Sequence, residues 1–207
     1  MNPINRYVQI VLVETSHPGN IGSVARAMKN MGLRNLALIN PKTFPHQEAT
    51  ALAGNAVDVL DNARVFDSIN EAIKDSKVIY ATSARDRTIE WPTLSVKEAA
   101  GEINQLVCED IEVSILYGRE DRGLTNEELQ LANKHLIIPA HPEYPVLNIA
   151  MSTQVICYEL FQAAQDIPAQ KGLDFPEYTD KFLFYGRFWP WHDMNYGQIR
   201  YSNLVAE

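Results

Sequence analysis

Apolar residues recur along this chain with two different periods, and the two alternate. Tyr7 to Val13 (YVQIVLV) is a β-rich apolar run that ends in the polar stretch Glu14-Thr15-Ser16-His17-Pro18, as a strand does where it meets a loop. From about Asn20 the spacing changes to three and four. Ile21, Val24, Ala25, Met28 and Met31 share one helical face, and Gly32 closes the segment. Asn35 to Asn40 (NLALIN) predicts a second strand, stopped by Pro41. Helical patterns over Glu48–Gly54 and Ser68–Ile73 flank a weak strand at Arg64–Phe66, and Val78–Ala81 follows as a further strand. Beyond it come the amphipathic Ser95–Val107, a strand at Glu112–Tyr117, a short helix over Thr125–Ala132 and a strand at His135–Pro139. The longest helix is predicted from about Leu147 to Gln165.

Strands alternating with helices predict an α/β fold, a mainly parallel sheet with helices on both faces. The pattern divides the chain into an α/β domain over 1–165 and an extension over 166–207. Pro168, Lys171 and Gly172 break the last helical run there. The 7 Phe, 9 Tyr and 3 Trp are unevenly placed, and ten of them fall between Phe175 and Tyr201, so the extension differs in composition from everything before it.

Charge narrows the function classes. Lys and Arg number 18 against 26 Asp and Glu, a formal charge of −8. A surface that coats nucleic acid without regard to sequence neutralises phosphates with cations, and this balance argues against one while leaving room for a small basic site. Two cysteines, Cys108 and Cys157, make no disulfide scaffold and match no zinc spacing, so no metal is expected. The opening residues show no basic-then-apolar leader, and Tyr7–Val13 is too short for a membrane span; a reducing cytoplasm is the expected compartment.

Ligands of parallel sheets bind beyond the carboxyl ends of the strands, which directs attention to four loops. The first carries Gly19-Asn20-Ile21-Gly22 and then Arg26. Its glycine spacing is not that of a dinucleotide site, and the second strand ends in Asn40-Pro41 rather than an acidic residue. Asn20 and Arg26 can address one loop only if the helix starts late; otherwise they are a helix cap and a surface arginine. The second loop, Thr82-Ser83-Ala84-Arg85-Asp86-Arg87, joins small residues to two arginines suited to phosphate, or is simply solvated. The third, Gly118-Arg119-Glu120-Asp121-Arg122-Gly123, leads into Thr125, which predicts a capping box with Glu128. Arg119 and Glu120 face a ligand there or pair with each other across the loop. The fourth, Pro139 to Val146, is held extended by three prolines and reaches Leu147-Asn148, with Ser152 one turn further on Asn148's face.

Taken in order, three motifs resemble the SpoU–TrmH branch of the SPOUT superfamily of RNA 2′-O-ribose methyltransferases. They are Asn20-Ile-Gly-Ser-Val-Ala-Arg26 through Gly32, Ile115 through Leu129 with Gly118-Arg119-Glu120 at its centre, and Leu147-Asn148-Ile149-Ala150-Met151. Thr82-Ser83-Ala84-Arg85 adds a resemblance to the TrmJ-type tRNA methyltransferases, which modify a ribose at the edge of the anticodon loop. The resemblance covers roughly Val8 to Leu160. It implies a C-terminal trefoil knot, a homodimer and S-adenosyl-L-methionine held by Thr82, Ser83, Ala84, Gly118, Ile138, Pro145, Val146 and Leu147. It implies catalysis by Arg26 with Asn20, Glu120 and Asn148 as polar partners. Lys29, Arg85, Arg87, Arg119 and Arg122 would then join Arg26 as a local basic site for tRNA on an acidic body.

Two departures from the family pattern stand out. Val146 occupies a position that is usually serine, which opens the alternative of a fold that binds cofactor or RNA without turnover. The chain also carries an aromatic segment, Phe182 to Trp191, where TrmJ-type proteins continue into a longer helical region. Base stacking, packing on a dimer and simple cover of the domain are its possible uses, and packing is favoured because few cations accompany it.

Overall fold

The computed structural model describes residues 4–83 and 92–165. After a single turn of helix, α1 (Ile4–Tyr7), the chain enters β1 (Val8–Val13), α2 (Pro18–Asn30) and β2 (Asn35–Ile39). Next come α3 (Gln47–Ala53), a 3-10 turn at Gly54–Ala56, α4 (Val57–Asp61), β3 (Arg64–Phe66), α5 (Ile69–Ile73) and β4 (Val78–Thr82). The described chain resumes before β5 (Thr93–Ser95) and α6 (Val96–Cys108), then β6 (Val113–Tyr117), α7 (Asn126–Leu129), β7 (Lys134–Ile137) and α8 (Ile149–Ala163). The aromatic extension expected at 166–207 and the loop residues Ala84, Arg85 and Arg87 lie outside the described residues.

Among the described residues, seven strands form one parallel sheet in the order β3-β2-β1-β6-β4-β7-β5. Side chains alternate across a strand, and the alternation sorts the core into two layers. Ile10, Leu12, Leu36, Leu38, Tyr80, Ile115 and Tyr117 face α2, α3, α6 and α8. Val11, Val13, Ala37, Ile39, Ala81 and Leu116 face the short α5 and α7. One layer is therefore thick and the other thin.

Helix α2 begins at Pro18, two residues earlier than the apolar spacing predicts, because proline at the first position has no N–H to lose and its φ is already helical. The early start settles the question of Asn20 and Arg26. Six residues of an established helix turn them to different sides. Ser95 with Glu98, and Thr125 with Glu128, form full capping boxes at the starts of α6 and α7. The three-residue β5 and the short α1 and α4 have no legible period. Each draws its stability from neighbours rather than from its own sequence.

Helix α2 packs on α3 so closely at Gly22 that the two backbones leave no room for a side chain. A Cβ on Gly22 would stand 2.0 Å from the Ala49 carbonyl oxygen. Gly22→Ala is expected to cost about 2–3 kcal/mol as the helices are forced apart, read as a lower urea midpoint with an unchanged slope.

Candidate active site

The carboxyl ends of β1, β6, β4 and β7, four strands adjacent in the sheet, open into one cavity of about 460 Å³. Its wall takes residues from each of the four loops singled out by their position: His17 and Asn20, Thr82 and Ser83, Gly118 to Leu124, and Ile138 with Tyr144 to Ile149. Apolar side chains such as Leu124, Leu136, Ile138 and Leu147 supply one part of the surface. Polar groups on the loops supply the rest. This is the composition of a small-molecule site.

Glu120 organises the polar side. Its Oε2 accepts from the Ser16 amide at 3.1 Å and the Ser16 hydroxyl at 3.0 Å. Its Oε1 accepts from Asn20 Nδ2 at 3.0 Å and the His17 amide at 3.4 Å. Burial pushes the Glu120 carboxyl up, but the hydrogen bonds from Asn20 and Ser16 outweigh it and hold the group below the usual glutamate range. The start of α2 is also the electropositive end of that helix, which favours a carboxylate beside it. The chain of bonds continues outward. Asn148 Nδ2 donates to Asn20 Oδ1 at 3.1 Å, and Asn148 Oδ1 caps α8 by accepting from the Ala150 amide at 2.8 Å. The loop after β6, helix α2 and the cap of α8 are thus fixed to one another, and three of the four residues expected to act together stand in one hydrogen-bonded line.

Arg26, the fourth, is exposed on α2 and is absent from the cavity wall. Arg119 does not pair with Glu120. Its Nε donates to Glu14 at 2.7 Å, while Nη1 and Nη2 each donate to Glu128 at 2.9 Å. Its side chain is only 9% exposed. The loop that carries it is closed by paired backbone bonds between Arg119 and Gly123, with Gly123 at φ +72°. Gly118 has no room for a Cβ, which would lie 2.1 Å from the Gly123 carbonyl carbon. Lys29 binds Asp58 and the Asn55 carbonyl, both at 2.7 Å, on the side of α2 that meets α4. Arg122 is 64% exposed and lines the cavity, 3.6 Å from Glu14.

Two serines close to the site have other engagements. Ser16 donates its hydroxyl to Glu120, and Ser152, on the cavity wall, donates to the Ile149 carbonyl at 2.9 Å. Val146 itself lines the cavity and is 52% exposed. Residue spacing does not show the partnership of Glu14 and Glu128 around Arg119, nor does it place His17 and Tyr144 on the cavity wall. The capping box at Thr125 marks Glu128, but nothing in the spacing reports its second bond.

A model of the SpoU rRNA Methylase family matches residues 7–158. The chain belongs to that family. Among relatives of this SpoU-family protein, a tRNA (cytidine/uridine/adenosine-2′-O-)-methyltransferase TrmJ of Pseudomonas aeruginosa is 49% identical over 166 residues. The match takes in 79% of this chain and 65% of the relative, so the chain spans just under two thirds of that protein. The tRNA (cytidine/uridine-2′-O-)-methyltransferase TrmJ of Cronobacter sakazakii is 46% identical over 186 residues, covering 86% of this chain and 76% of its own. A solved structure of a probable methylase family protein from Haemophilus influenzae superposes with a TM-score of 0.73 at 40% identity, covering 87% of this chain and 77% of that one.

Two outcomes follow for this SpoU-family site. Replacing Arg119 by alanine strands two carboxylates that now share its charge, and should cost about 3 kcal/mol in urea unfolding. Arg119→Lys should recover only part of the loss, since a lysine cannot form the two-pronged contact with Glu128. For Glu120, a depressed folded pKa means a stabilisation that is complete above the ordinary value of about 4.3. It is lost as pH falls through the lower folded value. The stability difference between wild type and Glu120→Gln is expected to be constant from pH 7 to about 5 and to shrink below about 4.

Proposed function

We propose that this protein transfers a methyl group to a ribose 2′-hydroxyl of RNA, with tRNA as the substrate and an anticodon-loop nucleotide as the target. The observation that carries the reading is the Glu120–Asn20–Asn148 line at the mouth of a strand-end cavity, in a chain of the SpoU family. The cavity suits S-adenosyl-L-methionine, with an apolar slot for an adenine ring beside hydroxyls and backbone groups for the polar remainder. Thr82, Ser83, Gly118, Ile138, Pro145, Val146 and Leu147 all lie on that wall and would hold it; Ala84 is assigned the same role. S-adenosyl-L-methionine supplies an electrophilic methyl group.

The protein's own residues have separable tasks. Glu120 already accepts four donors, so it acts as an anchor that keeps Asn20 in place rather than as a proton acceptor. Asn20 and Asn148 each have one amide hydrogen left over from these bonds, and these point RNA oxygens into register with the cavity. Arg26 brings a guanidinium that stabilises negative charge as it develops on the ribose oxygen. Arg122, with Arg85, Arg87 and Lys29, contributes phosphate contacts. Arg119 is committed to Glu14 and Glu128 and supports the site as a strut.

A homodimer belongs to the same reading. Leu147, Met151, Val155 and Tyr158 are exposed at helical spacing along and just before α8, an apolar stripe that begins at the cavity rim. Arg26 is missing from its own cavity wall, and a second copy seated on this stripe brings an Arg26 to the cavity from outside. A trefoil knot belongs to the same reading, in a sheet whose order sets β6 between β1 and β4 and β7 between β4 and β5. Cytoplasmic location follows from the substrate.

Val146 favours a second reading, a fold that binds RNA or cofactor without turnover, because it puts no hydroxyl at the rim. Mass spectrometry of tRNA from a strain lacking the gene separates the two. Loss of one 2′-O-methylated nucleotide is expected, and an unchanged profile would overturn catalysis. In vitro, the wild type should transfer methyl groups without help from Val146→Ser; activity confined to the serine variant supports the second reading. Co-expression of Arg26→Ala with Asn20→Ala should restore activity that neither has alone, since one mixed site then contains both intact residues. Failure of this complementation would place Arg26 in its own subunit's site.

A further inference from the structure

One aromatic ring of the cavity wall is left to solvent. Tyr117, at the end of β6, is 2% exposed, whereas Tyr144, between β7 and α8, is 82% exposed. A ring of this size normally finds cover. Its backbone is nevertheless well held. The Tyr144 amide donates to the His141 carbonyl at 3.0 Å, and the Glu143 amide donates to His141 Nδ1 at 3.3 Å. Pro142 and Pro145 bracket the turn and fix φ on either side. A ring presented from a stiff base has less freedom to lose when it is covered.

We propose that Tyr144 is the stacking platform for the nucleobase of the nucleotide being methylated. The inference rests on the RNA methyltransferase reading and adds how that enzyme holds its target. Ribose methylation asks nothing of the base edge, but the sugar must be drawn out of its neighbours' stack and kept still. An aromatic face does this for any base, because every base has a π-face. Most side chains at the rim suited to reading a base edge in two-pronged fashion are spent elsewhere, and the exposed Arg122 is given to phosphate. Asn20, Asn148 and Glu120 bond one another, and Arg119 bonds two carboxylates. The ligand class is therefore a splayed, single-stranded nucleotide, gripped with little preference for its base.

The test uses the full chain and tRNA transcripts that are intact or lack only the base at the methylated nucleotide, once the methyl group has been mapped. Stacking of one base is worth about 1–3 kcal/mol, so Tyr144→Ala should weaken binding of the intact transcript about 5- to 150-fold. Tyr144→Phe and Tyr144→Trp should bind within about threefold of wild type, because they keep the face. Wild type should bind the abasic transcript as weakly as Tyr144→Ala binds the intact one, with no further loss when both changes are combined. Calorimetry with S-adenosyl-L-methionine and sedimentation of each variant should match wild type. Equal losses on both transcripts, a loss of cofactor affinity, or a changed assembly state would each overturn the platform while leaving the methyltransferase reading intact. Absence of any methyl transfer to RNA by the wild type would remove both.

Discussion

Arg119 sits between two carboxylates that approach from separate parts of the sheet: Glu14 just past β1, and Glu128 inside α7. The guanidinium is almost closed off from water, and its pKa is raised by the hydrogen bonds to Glu14 and Glu128. Glu128 also caps its own helix through Thr125. One cation therefore fastens the loop after β6 both to the loop after β1 and to the start of α7. The consequence falls on its neighbours. Gly118, with no room for a side chain, and Glu120, whose carboxylate gathers Ser16, His17 and Asn20, stand on either side of it. If that clamp were slack, the line from Glu120 to Asn148 would be held only at its α8 end.

Much of this was legible in the chain. The apolar runs at Tyr7–Val13, Asn35–Asn40 and Glu112–Tyr117 became the central strands because parallel strands buried on both faces have near-continuous apolar sequences. The Thr125–Glu128 box formed as its spacing requires. The four loops converged, since a parallel sheet puts all its strand ends on one side. What spacing could not report was partnership. Arg119 and Glu120 are adjacent in sequence yet serve opposite ends of the loop, and the partners of Arg119 lie 105 and 9 residues away. The position of Arg26 depended on where α2 starts, which Pro18 decides and apolar periodicity does not. Short elements such as β5 carry too few residues to show any period.

The charge balance also changes meaning once side chains have places. A net −8 describes the whole chain, but several carboxylates near the cavity have partners: Glu14 and Glu128 share Arg119, and Glu120 accepts from four donors, while Asp121 stays exposed on the wall. Arg122 remains exposed at the rim. Counting ionised groups overstates how negative the site is, because a carboxylate surrounded by donors projects little field beyond them. An acidic body and an anion-tolerant mouth are compatible.

The unequal layers on the two faces of the sheet give the site an uneven mechanical setting. Helices α2 and α8 place Asn20 and Asn148 on the thick side, braced through a backbone approach at Gly22 that admits no extra atom. Leu124 and Leu129, on the opposite wall, rest on the thin layer with α5 and α7, each little more than a turn of helix. Segments with so few packed neighbours open at lower free energy than the rest of a domain. The polar line thus stands on the thick layer and the Leu124 wall on the thin one, so a ligand can be admitted by local fraying of that wall while the groups that must meet it stay in register.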